Sequence, residues 1–232
     1  MEKQQIIINT GKNKTIRLVV DKKLKNQRVI NMVKKGAQIA FDYFDEVKNI
    51  NFEVELIYSR DEFDKKMGRK TESWLIGNSF GKRFVIFSPE KIEEHTSHKK
   101  QEFIPLITHE TVHVLHEKIS SNYSYWLSEG IAQNVAGQEK KKGIECKNIK
   151  HFLHYSLFKN SNYRNFIAHQ GYEISNRLVK FLMSEYSKKQ VMSLLKIKYD
   201  SVVTVEEKFC KILATNKKTL ASQFEEVLGR RV

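Results

Sequence analysis

Residues 15–20, Thr-Ile-Arg-Leu-Val-Val, alternate in a way that predicts a strand. Between Leu24 and Lys48 the spacing changes. Val29, Val33, Ala37, Ala40, Phe44 and Val47 recur every three or four residues, the period of a helix with one buried face. Period two returns at Phe52, Val54, Leu56 and Tyr58, with Glu53 and Glu55 between them and Ile57 as the one break; this predicts a half-buried strand. Residues 74–79 and 83–87 flank Phe80-Gly81-Lys82 as the arms of a β-hairpin, and Ser88-Pro89 ends it because proline lacks a ladder donor.

From Pro105 onward the pattern is helical. Pro105 suits a first helical turn, where its missing N–H costs little. Asn122 and Ser124 are candidate caps for a helix containing Trp126–Ala136. A further helix is predicted over 172–186, with Leu178, Val179, Leu182 and Tyr186 on one face. Thr204-Val205-Glu206-Glu207 has capping-box spacing, and Gly229 is placed to stop the last helix. The order predicts an α+β fold, a small N-terminal β-sheet with helices followed by a mainly helical C-terminal part.

Composition narrows the class. With 14 Phe, 9 Tyr and 2 Trp among 232 residues, a sizeable core can form, while 10 Gly and 2 Pro exclude collagen-like and low-complexity chains. Cys146 and Cys210 are too few for a disulfide framework or a four-thiolate zinc ribbon. No stretch approaches the ~20 apolar residues of a membrane span, and the opening residues lack the apolar core of a signal peptide. The expectation is a soluble, cytoplasmic protein; a chain trimmed of a leader would carry the same signature and be secreted. The net charge of +14 is spread as lysine doublets and short runs, from Lys22-Lys23 through Lys140-Lys141-Lys142 to Lys217-Lys218. Dispersed lysine reads as a solvated surface and argues against nucleic acid as a partner, since such a site gathers its cations with stacking aromatics.

The chemistry concentrates in His109-Glu110-Thr111-Val112-His113. Residues four apart share a helix face, so both imidazoles can point at one ion. Glu110 lies about 100° around the axis from His109, beside such an ion and not on it. Chance would place this pattern in roughly 2% of chains of this composition, so the motif needs support, and a solvated helix surface is its bland alternative. Support comes from Trp126-Leu127-Ser128-Glu129-Gly130-Ile131-Ala132, which puts a carboxylate 16 residues after His113 on the next helix. Two His and one Glu, with one position open, form a standard catalytic zinc set. Glu129 could otherwise serve the helix dipole from its first turn. Gly130 and Ala132 would let this helix approach the histidine helix closely.

Together, His109-Glu110-x-x-His113 and Trp126-Leu127-x-Glu129-Gly130-x-Ala132 resemble the gluzincin zinc metallopeptidases, especially the compact minigluzincin-like members. The likeness extends to Val54–Phe63, to Gly77 with Phe84–Pro89, and to Tyr172-Glu173-Ile174-Ser175-x-x-Leu178-Val179-x-Phe181-Leu182. It covers about residues 50–190. It implies three segments: an N-terminal extension over 1–50, a zincin-like metallopeptidase domain over 51–190, and a C-terminal helical extension over 191–232. It also implies a small sheet whose edge strand aligns a peptide or protein substrate above the active-site helix. His109, His113 and Glu129 would then bind Zn2+, Glu110 would act as general base and acid, and Tyr172 would donate to the oxyanion, with His169 as the second candidate. Gln133 stands where several gluzincins carry an acidic residue that orients a zinc-bound histidine.

The leading expectation is thus a zinc-dependent endopeptidase. A DNA-associated protease would more usually carry a third histidine ligand and a cysteine ribbon; a non-catalytic metal-binding protein would not need Glu110. His116 does not extend the motif in the metzincin manner, because Ile119 stands where that pattern needs histidine. His95 and His98 are expected at the surface, while His151 and His154 read as structural or solvated. Trp126 is expected in the core.

Overall fold

The computed structural model describes every residue except 1, 12, 25, 121–123, 140–142, 158–162, 200 and 230–232. Asn122 as a cap and the lysine run at 140–142 lie outside the described residues. The architecture is α+β, as the sequence pattern predicts, and the chain divides into two compact units, Met1–Leu115 and His116–Val232.

The first unit is built on a five-stranded sheet. Strands β1 (Lys3–Asn9) and β2 (Lys14–Asp21) form an antiparallel hairpin. Helix α1 (Gln27–Tyr43) crosses to β3 (Ile50–Ile57), which runs parallel to β2, as a helical crossover requires. Helix α2 (Arg60–Met67) follows, then the antiparallel pair β4 (Gly77–Phe80) and β5 (Arg83–Phe87), turning at Gly81 with φ +61. The order β1-β2-β3-β5-β4 leaves β4 at one edge. A short helix α3 (Ile92–His95) leads to α4 (Phe103–Ile119), which continues through the division of the chain.

Each element answers to local chemistry. Helix α1 starts three residues later than its apolar period because the Asn26 side chain accepts from the Arg28 N–H at 2.8 Å. It ends before Phe44, which is buried in the following turn. Its stripe of Val29, Val33, Ala37, Ala40 and Phe41 is buried, and Phe41 meets Phe52 edge to face at 6.2 Å. Gly36 lets α4 come close: a Cβ there would stand 2.8 Å from Ile107. Register aligns Leu18, Val54, Phe84 and Ser79 across four strands, so these side chains share one face. On the other face Phe63 of α2 packs on Phe87 with centroids 5.0 Å apart. Two features differ from the pattern. Strand β1 lies where the sequence pattern predicts no strand, and β3 is buried on both faces near its end, where Glu55 is held by Lys3 at 2.5 Å and Lys66 at 2.7 Å.

The second unit is helical: α5 (Tyr125–Val135), α6 (Cys146–His151) with a π-turn over 152–156, α7 (Tyr163–Ala168), α8 (Gly171–Glu185), α9 (Lys188–Leu194), α10 (Val202–Ile212) and α11 (Lys217–Gly229). Trp126 is its hub, 1% exposed, ringed by Phe152, Phe209 and Phe224, with its indole N–H donated to the Leu157 carbonyl. Helix α10 corrects the expected cap. Ser201, extended at φ −146, accepts from the Thr204 N–H, so Thr204 lies inside the first turn. Helix α5 packs on α8 through Gly130, where a Cβ would stand 2.4 Å from the Ser175 carbonyl oxygen and from Val179. Gly130 therefore serves a close approach to α8, a neighbour the sequence does not single out.

Candidate metal centre

Helix α4 is buried around most of its circumference: Phe103, Ile107, Thr108, Thr111, Val112 and Leu115 are all fully inaccessible. Its two buried threonines satisfy their hydroxyls on backbone carbonyls, Thr108 on Gly36 at 2.9 Å and Thr111 on Ile107 at 2.7 Å. A helix fixed in this way presents its remaining side chains in set directions. His109 and His113, one turn apart and half-buried, bring their Nε2 atoms to 3.0 Å from each other, with ring centroids at 4.8 Å. Two nitrogens on a tetrahedral zinc, each 2.0–2.1 Å from the ion, stand about 3.3 Å apart, so the pair needs only a small adjustment.

Glu129, half-buried on α5, completes the group. One ligand atom from each of His109, His113 and Glu129 lies within 4.8 Å of the others, and this group could hold a metal ion. Two imidazole nitrogens and one carboxylate oxygen are a donor set that suits a borderline-soft divalent ion such as zinc. Among the described residues no other group of three or more His, Cys, Asp or Glu meets the same test.

Two contacts frame these ligands. His116, seven residues after His109 and so on the same helix face, directs Nδ1 to the Ser128 hydroxyl at 2.8 Å, and both side chains are 1% exposed. That bond joins the end of α4 to the residue preceding Glu129. Glu110 is 8% exposed and accepts the Ser79 hydroxyl on Oε2 at 2.6 Å, while its Oε1 sits above Gly77, 3.5 Å from where a Cβ would be. Sequence reasoning misses both Ser79 and the role of His116. The seven-residue spacing signals the second; nothing local signals the first.

Other expected residues fall as follows. Tyr172 stands in the first turn of α8, half-buried, with its ring edge-to-face on Phe166 at 5.1 Å. His169 donates from Nδ1 to the Asn165 carbonyl at 2.8 Å, since a carbonyl can only accept, and its ring stacks on His151 at 3.7 Å. Burial and the neighbouring His169 and His154 hold His151 below the usual imidazole range. Gln133, one turn after Glu129, is 2% exposed, and its Oε1 has no hydrogen-bond partner among the described residues. His95 and His98 are half-buried and not simply exposed: His98 contacts Glu102 at 2.7 Å and the Trp74 carbonyl at 2.9 Å, and His95 packs on Phe87. Cys146 and Cys210 are unpaired thiols, and burial with nearby Glu206 pushes Cys210 up, away from thiolate character. No described helix is long and apolar enough to cross a membrane. No family model matches this chain, and no curated protein matches it significantly.

Proposed function

We propose that this protein is a zinc-dependent peptidase of gluzincin type. The observation that carries the reading is the convergence of His109, His113 and Glu129 with a buried carboxylate, Glu110, on the residue next to the first ligand. A structural zinc site is closed by four protein donors, whereas a hydrolytic one keeps a position open, as a three-residue set does. When bound, zinc supplies a Lewis acid and lowers the pKa of its water to about 7.

The protein's own residues account for the remainder. Glu110 accepts the proton from the attacking water on a carboxylate oxygen and returns it to the departing amine. Its burial strengthens that exchange, because little bulk water competes for the carboxylate. Strand β4, paired among the described residues with β5 alone, lies at the edge of the sheet, where an extended peptide can add as a further strand. Tyr172 is assigned the second donor to the oxyanion, since a phenol O–H donates without changing charge.

The experiment is metal analysis of purified protein together with hydrolysis of an unfolded, fluorescently labelled polypeptide. The expected result is one equivalent of zinc and chelator-sensitive cleavage, with Glu110→Gln retaining the metal and losing activity by at least ~10²-fold. Stoichiometric zinc without cleavage by the wild type would leave a non-catalytic metal-binding protein and overturn the proposal.

A further inference from the structure

We infer that Ser79 is a positioning residue for the Glu110 carboxylate, an inference that rests on the peptidase function proposed for this site. A glutamate side chain on a helix has three torsions, and the helix fixes only its starting point. Something else must set which oxygen faces the substrate side. In this chain the edge strand does so. Ser79 pairs with Phe84 in the β4–β5 register and therefore points to the same sheet face as Phe84. On that face its hydroxyl lies 2.6 Å from Glu110 Oε2, within the 2.5–2.7 Å range of a hydroxyl donating to a charged carboxylate. Gly77, two residues earlier and so on the same face, supplies space and not a contact. A Cβ there would crowd the Val85 carbonyl at 3.1 Å and stand 3.5 Å from Glu110 Oε1.

The two carboxylate oxygens are thus made unequal. Oε2 is tied to the strand by a hydroxyl, and Oε1 is left over the glycine as the oxygen that takes and gives the proton. The Glu110 carboxylate makes no other hydrogen bond among the described residues, so at 8% exposure its orientation depends on this one donor. The same short strand that would pair with an extended peptide also holds the base, so seating a substrate on β4 fixes both partners from one element.

The test is a comparison of Ser79→Ala and Ser79→Thr, each also in a Glu110→Gln background, on zinc-loaded protein. The substrate is an unfolded, fluorescently labelled polypeptide, and zinc content and urea midpoint are recorded in parallel. Ser79→Ala should lower kcat about 10- to 100-fold, as a small misplacement of a reacting group does, with KM and zinc content unchanged. Ser79→Thr, which keeps the hydroxyl, should restore most of it. In metal-free protein the urea midpoints of Ser79→Ala and Glu110→Gln should be non-additive, because the first removes the donor of one contact and the second replaces its charged acceptor by a weaker amide oxygen. A Ser79→Ala variant with wild-type kcat overturns the inference and leaves the peptidase function standing. A fall in kcat accompanied by loss of zinc, and not rescued by threonine, marks Ser79 as a strut and also overturns it. A zinc-loaded wild type that cleaves nothing overturns the peptidase function, and this role with it.

Discussion

Replacing Gly130 by alanine sets two known magnitudes against each other. Gly130 lies in the middle of α5, where alanine is favoured over glycine by about 1 kcal/mol of helix propensity. On an isolated helix the change would stabilise. Here the new Cβ would stand 2.4 Å from the Ser175 carbonyl oxygen, 2.4 Å from Val179 Cγ2 and 2.9 Å from Val179 Cβ. The valine methyl could rotate, but the carbonyl belongs to the backbone of α8 and can move only if the two helices part. Overpacking of this kind costs about 1–3 kcal/mol or more, and a backbone clash belongs at the upper end. The net expectation is destabilisation by about 2 kcal/mol. Because Glu129 is the adjacent residue, displacing α5 should also weaken zinc binding. Urea unfolding of the metal-free protein measures the first effect and competition with a chromophoric chelator the second. Gly229→Ala, at the end of α11 with no neighbouring side chain or other element within 4 Å of a Cβ among the described residues, is the control and should be neutral or mildly stabilising. A Gly130→Ala protein as stable as the wild type would refute the argument that this contact sets the α5–α8 distance.

Three further outcomes are expected. His113→Ala should lose stoichiometric zinc while the apo fold persists, since the side chain is half-buried and its loss opens no core cavity; full metal retention by mass spectrometry would remove it from the ligand set. Burial raises the Glu55 pKa, but hydrogen bonds and charge from Lys3 and Lys66 outweigh that and leave it below the ordinary glutamate value. The stability this adds is therefore present above the unfolded value of about 4.3 and is lost as pH falls below it and through the lower native value. Glu55→Gln should lower stability at pH 7 by about 1–2 kcal/mol, the quarter-exposed lysines being spared full desolvation, and should flatten the acid limb of a Tm-versus-pH series; an unchanged limb would assign acid lability elsewhere. Tyr172→Phe should cut kcat about 10²-fold with zinc content and KM preserved, and a kcat within about twofold of wild type would pass the oxyanion role to another donor.

How much of the fold is legible in the sequence depends on the range of the interaction. Helix α1 announces itself because its burial is a local period, and only its ends need the Asn26 cap and the Phe44 turn to be placed. Strand β1 does not, because it is an edge strand, paired among the described residues with β2 alone. Its three isoleucines show no simple alternation, and Ile7 is 58% exposed. Glu55 has the pattern of the solvent side of a half-buried strand, yet α2 covers that side and lysines from β1 and α2 satisfy the charge. Capping-box spacing misplaces the cap of α10 by three residues, since Ser201 and Thr204 can both accept and only the extended backbone at Ser201 decides between them. Gly130 stands out in the sequence as a site of close approach, but nothing in the sequence says which helix comes close.

The same distinction runs through the candidate centre. The His109–His113 pair is legible because a helix alone brings residues four apart together, and Glu129 is legible only as a carboxylate on the following helix. What makes such a set usable is the support around it, and that support is built from residues with no motif. His116 does not fit a metal-ligand spacing, yet its position two turns beyond His109 puts it on the ligand face. There its Nδ1 meets the Ser128 hydroxyl at the start of α5. A histidine suits such a bridge because its ring is long enough to span the gap between two helices, and one nitrogen suffices for the bond. Ser79 is separated from Glu110 by 31 residues, and no spacing rule connects a strand hydroxyl to a helix carboxylate at that range. Motif reading therefore recovers the atoms that would meet a metal and a proton, while the residues that aim them become visible only when strand register and helix packing are known.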